Sequence, residues 1–167
     1  MLTYKVSPHS KLLKKMDNLF LPRCIDNNYR GQKLALWLFW VVVVIRAAQG
    51  ISLIINGYSI VKDADGIPLE SFPMTASQSI VGMFAISGGS RLVLSVLGII
   101  MFARYRSAIP LMFALLSLDQ IAKQLLLHFY PLYRIGNPIG PTVNLILLFL
   151  TIIGFVLSVW GKRQSKS

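Results

Sequence analysis

Four apolar runs, each about as long as a bilayer's hydrocarbon core is thick, decide what this chain can become. They cover residues 34–55, 79–102, 108–130 and 143–160. An α-helix needs ~20 such residues to cross ~30 Å of hydrocarbon, because each residue advances it by about 1.5 Å. In lipid every backbone N–H and C=O must be satisfied within the segment, so these runs predict helices even where β-branched residues crowd, as at Val41–Ile45. The expected fold is all-α, an integral membrane four-helix bundle spanning residues 32–161. The chain is 54% hydrophobic and 14% charged, more apolar than a soluble domain of 167 residues can bury.

The breaks between runs are well marked. Asp65-Gly66, Pro68 and Pro73 forbid a continuous helix across residues 57–77. Ser107 and Pro110 suit the first turn of the third span. Pro131 ends that span, and Asn137-Pro138 with Gly140-Pro141 predicts a rigid turn before the fourth. Asp63-Ala64-Asp65-Gly66 resembles a fragment of a calcium loop, but the other ligand positions of such a loop are missing.

The formal net charge of +11 could point to nucleic acid, but its placement points to a membrane. Basic residues gather before residue 34, at Arg104 and Arg106, and at Lys162, Arg163 and Lys166. The two other connections hold only Lys62 and Arg134. Cytoplasmic loops carry the Lys/Arg excess, so both termini are expected in the cytoplasm, with no nucleic-acid partner. Residues 1–31 read as a basic cytoplasmic tail, residues 162–167 as another. Leu12, Leu13, Met16, Leu19 and Phe20 recur at helical spacing among lysines, so residues 10–20 fit either an interfacial helix or an irregular tail. Cys24 is the only cysteine, which excludes an internal disulfide.

Charges inside the apolar runs are the functional signal. Arg46, Arg91 and Asp119 each fall about halfway along a span, and Lys123 lies one helical turn beyond Asp119. Given the alternating direction of the spans, they reach a common depth. A charge there costs roughly 2.5–3.5 kcal/mol on insertion scales. Arg46, Gln49, Arg91, Asp119 and Lys123 are therefore expected to form one interior cluster, with both guanidinium groups around Asp119. Lys123 could instead snorkel outward. The signs leave a positive surplus, which an anionic lipid, a carboxylate or a quinone-like head group could meet. The cluster could equally serve only to hold the helices together.

Helix faces add detail. Ser87, Arg91, Ser95 and Gly98 share one stripe, as do Asn144, Thr151, Gly154 and Ser158. Ala85 and Gly89 have the small-xxx-small spacing of closely packed membrane helices. His128 is placed near the outer end of the third span. With only His9 elsewhere, no metal site is expected. No phosphate loop, dinucleotide turn or nucleophile motif is present.

The stretch Ile25-Asp26-Asn27-Asn28-Tyr29-Arg30-Gly31 leading into Lys33–Phe39, with the loop Ala64–Leu69, resembles small uncharacterised four-span bacterial inner-membrane proteins over most of residues 25–160. That resemblance implies the bacterial inner (plasma) membrane and the architecture, and no activity. The layout is also similar to DoxX-like four-helix proteins, some of them linked to quinone chemistry. The expected function is thus a membrane protein whose cluster packs the bundle and holds an anionic lipid or a partner, whether a second copy or another membrane protein. The alternative is a small quinone-linked redox or membrane-enzyme subunit. A small proton-coupled exporter fits less well, since such proteins rely on a carboxylate in the first span, where this chain carries Arg46.

Overall fold

The structure, a computed structural model, describes residues 27, 29 and 31–160. The expected helix at residues 10–20 and the tail 162–167 lie outside the described residues. Four long helices follow in order: α1 (Lys33–Ile55), α2 (Met74–Arg104), α3 (Ile109–Phe129) and α4 (Ile139–Trp160). Each is long and apolar enough to cross a membrane. Among the described residues there is no strand.

Two helices begin earlier than expected, both for reasons of proline chemistry. Pro73 is extended and stands just before α2, so the helix starts at Met74 rather than near Ser79. Pro141 does not make a turn before α4. It sits in the helix's first turn, where its missing N–H is not needed. Between α1 and α2 the chain stays partly helical through Gly57–Ser59 and the wide turn Ile60–Ala64, then makes a tight turn at Leu69–Ser71. Val61, Ile67 and Leu69 are buried there against Ile80, Val81 and Phe84 of α2. The Ser77 hydroxyl donates to the Leu69 carbonyl at 2.7 Å and pins this connection down.

Going round the bundle the order is α2, α1, α4, α3. α1 packs closely on α2 and α4, and α3 on α4, while α2 and α3 touch lightly. The close contacts come from missing side chains. Gly50 and Gly88 face each other so tightly that a Cβ on Gly88 would lie 2.9 Å from the Gly50 carbonyl oxygen. Gly89 faces open space, so the residue that brings these helices together is Gly88 and not the Gly89 of the expected pair. Helix α2 runs unbroken through both glycines. Gly98 sits against Val43 and Phe39, and Gly154 against the Phe113 ring.

One half of the bundle is filled. Ala35, Phe39, Val42 and Val43 of α1 meet Met112, Phe113 and Leu116 of α3, with Phe39 and Phe113 edge-to-face at 5.2 Å. This half lies beside the α2–α3 turn. On the α4 stripe Thr151, Gly154 and Ser158 are buried, and Tyr29 donates a hydrogen bond to Ser158 at 3.1 Å. Outward-facing Val, Leu, Ile and Phe cover the surface, as suits helices bathed in lipid. We expect Gly88→Ala to destabilise the bundle by about 1–3 kcal/mol through overpacking. Gly89→Ala should leave it unchanged or slightly more stable, as read by denaturant unfolding in detergent.

Candidate functional site

Above the filled half the helices separate, and the polar side chains collect at that level. Asp119 of α3 lies one oxygen atom from two cations. Its Oδ2 accepts from Arg46 Nη1 of α1 at 3.4 Å and from Lys123 Nζ at 3.0 Å. Arg46 is 3% exposed. Lys123 follows Asp119 by four residues, so the helix itself brings the two together, and the lysine turns back onto the acid rather than outward. The two-bond guanidinium–carboxylate fork does not form. One oxygen serves both cations, and Arg46 Nε is buried without a partner.

Arg91 corrects the expectation most clearly. Its guanidinium makes no hydrogen bond or ion pair to Asp119, nor to any other group among the described residues. Its Nε is buried and unpartnered. Gln49 also stands apart. Its Oε1 is buried without a partner, and it does not line the cavity that the other four polar residues border or flank. Three residues fall about 60° short of a full helical turn, which rotates Gln49 off the Arg46 direction. Gly50, one residue further, is the one directed at α2.

What Arg91 borders is a cavity of about 490 Å³. Arg46 and Gln120 are the most buried of its lining residues. Ser87 and Arg91 of α2, Lys123 and Gln124 of α3 and Asn144 of α4 line its sides, with Met83, Phe84, Leu126, Leu127 and Leu132 as the apolar part of the wall. Gln120 is tied by its amide to Thr151 at 3.1 Å, and Thr151 in turn donates to the Leu147 carbonyl. Gln120 is 5% exposed, and its Oε1 has no partner.

The two connections at this end roof the cavity. The Ile135 N–H donates to the Gly66 carbonyl at 2.8 Å, and Gly66 has φ +70°, a left-handed conformation that favours glycine. Asp65 and Arg134, either side of that bond, both line the cavity. Asp65 packs against Gly140 in the first turn of α4, where a Cβ would come within 2.7 Å of its Oδ1. A carboxylate is favoured there by the helix dipole. Burial pushes the Asp65 carboxyl up from the ordinary carboxylate range, while Arg134 and then Arg91 pull it back. Arg134 Nε is again buried and unpartnered.

Asp65 and Arg134 were not foreseen as site residues, because loop residues have no period to reveal a shared face. In the sequence Asp65 belongs to a turn signal and to the calcium-loop-like fragment. Ser87 and Asn144 were on the polar stripes already noted. His128 is exposed, its ring against Phe129, and among the described residues no three His, Cys, Asp or Glu side chains gather as a metal site. No family model matches the chain, and no curated protein or solved structure does either. The resemblance to small inner-membrane proteins therefore stands on the quoted residues alone.

Breaking a buried pair leaves an uncompensated charge and costs about 3–5 kcal/mol. Asp119→Asn should lose stability on that scale, and a double-mutant cycle should show coupling to Arg46 of roughly 0.5–3 kcal/mol and less to Arg91. Equal coupling to both would contradict the geometry. The Asp65 carboxyl holds its proton more tightly when folded than when unfolded. Its contribution to stability therefore rises as pH falls through that raised value toward the ordinary one. Glu70, held below the usual range by its bond to Lys62, works in the opposite sense. The pH dependence of unfolding in wild type minus that in Asp65→Asn should isolate the Asp65 part, with stability increasing on acidification.

Proposed function

We propose that this chain is a non-enzymatic protein of the bacterial inner membrane that holds an anionic amphiphile in the roofed cavity. One observation carries the reading: the charges in and beside the cavity do not balance. Arg46, Arg91, Lys123 and Arg134 stand against Asp65 and Asp119, a surplus of two positive charges. Three of the guanidinium groups keep a buried Nε–H without an acceptor. Unpaired charges and donors are costly in a low-dielectric interior, and an anion removes both costs at once. The volume falls within the range of about 300–1,000 Å³ usual for small-molecule sites, and the mix of apolar wall and few polar groups suits an amphiphile.

The distribution of basic residues supports an orientation with both termini and the α2–α3 turn in the cytoplasm. The roof formed by Gly66 and Ile135 then faces outward. The Arg46–Asp119–Lys123 group packs the bundle, and Arg46 also borders the ligand together with Arg91 and Arg134.

A quinone head group is the competing occupant, because unpaired N–H donors also suit a carbonyl oxygen. It would leave the charge surplus in place, which favours the anion. Protein purified in mild detergent and examined by native mass spectrometry should retain an anionic species. Arg91→Gln should reduce that retention by about tenfold, the loss of one charge-assisted bond. Retention of a quinone, or of neutral lipid alone, would overturn the reading.

A further inference from the structure

We infer that the occupant is a membrane lipid whose head ends in a phosphomonoester, and that it enters sideways between α2 and α3. The inference rests on the anion reading above and narrows it.

Charge selects the head. A phosphomonoester carries about −1.5 to −2 near neutral pH, which matches a surplus of two. A phosphodiester or a carboxylate carries −1 and leaves half of the surplus unmet. Donor geometry agrees. Arg46, Arg91 and Arg134 come from α1, α2 and the α3–α4 connection, and all three line the same cavity. Guanidinium groups bind phosphate oxygens by two parallel bonds, and a terminal phosphate offers three free oxygens to donors arriving from three directions.

The walls select the lipid. Met83 and Phe84 lie on α2, Leu126 and Leu127 on α3, so most of the apolar lining belongs to the two ring neighbours that touch least. Met83 is 71% exposed and Leu126 58%, which makes them the rim of that gap. Toward the aqueous end the Gly66–Ile135 bond ties the two connections across the cavity. A soluble phosphate meets this roof, whereas a lipid meets an apolar opening in the plane of the bilayer. Asp65 is the one acid lining the cavity and stands beside Arg134 in charge contact with it. It subtracts from the attraction, so it sets how much anionic charge the site accepts.

The test uses the full chain in mixed micelles holding equal amounts of phosphatidic acid, phosphatidylglycerol and phosphatidylcholine, with bound lipid read by native mass spectrometry. Phosphatidic acid should be retained about tenfold over phosphatidylglycerol, the difference of roughly one charge-assisted contact. Arg134→Gln should erase that preference, and Asp65→Asn should strengthen retention of both anionic lipids. A gain of binding cannot come from misfolding, and Arg91→Lys, which keeps the charge, should fall between wild type and Arg91→Gln. Equal retention of the two anionic lipids would overturn the phosphomonoester inference and leave the anion reading intact. Displacement of phosphatidic acid by equimolar inorganic phosphate would overturn sideways lipid entry and assign the site to a soluble anion. Retention of neither anionic lipid above phosphatidylcholine would overturn both.

Discussion

The structure depends on one carboxylate. Asp119 is the acid that anchors the centre of the bundle, and it holds Arg46 from the diagonally opposite helix through a single oxygen. Helices α1 and α3 are not neighbours around the ring. They meet through the Phe39–Phe113 contact in the filled half and through this ion pair at mid-height. Beyond it the cavity begins. Charged groups must be solvated by something, so a bundle that carries them in its middle cannot close over them with apolar side chains. The filled half and the open half are two consequences of the same sequence choice.

Glycine decides where the opening lies. Between membrane helices there is little hydrophobic driving force, and backbone approach governs which pairs hold. α1 and α2 share two such approaches, at Gly50–Gly88 and at Gly98, and α4 gains one to α3 through Gly154 and Phe113. Among the described residues the α2–α3 interface has no such approach and has larger residues along its cavity-facing rim: Met83, Phe84, Leu126 and Leu127. A weak seam is therefore built into a definite side of the bundle.

How far the sequence revealed this depends on which coordinate is asked for. Length and hydropathy give the four spans and the order of groups along them. The four spans, the depth of Arg46 and Asp119, and the buried stripe Thr151, Gly154 and Ser158 all followed from periodicity. The angle of a residue about its helix relative to a neighbour did not, because it depends on packing between two sequences at once. Gly88 and Gly89 are about 100° apart on the same turn, and only the position of Gly50 distinguishes them. The expected pairing of Arg91 with Asp119 does not form, for the same reason. Asp65 and Arg134 lie in connections, where backbone turns and not periodicity set direction. Pro141 reads as a breaker or as a helix start depending on where the preceding turn ends.

The excess of positive charge could be read by arithmetic before any coordinates, and the geometry sharpens what it means. A buried surplus can be relieved in three ways: by loss of a proton, by admission of water, or by an anion. Guanidinium groups keep their protons in proteins, and three of the four cations are arginines. The fourth, Lys123, is already bonded to Asp119. Water would satisfy the unpaired N–H groups of Arg46, Arg91 and Arg134 but would leave the charge. On the reading proposed above an anion meets both requirements, and in a gap walled by leucine, methionine and phenylalanine the anion best suited is one with an apolar body behind it.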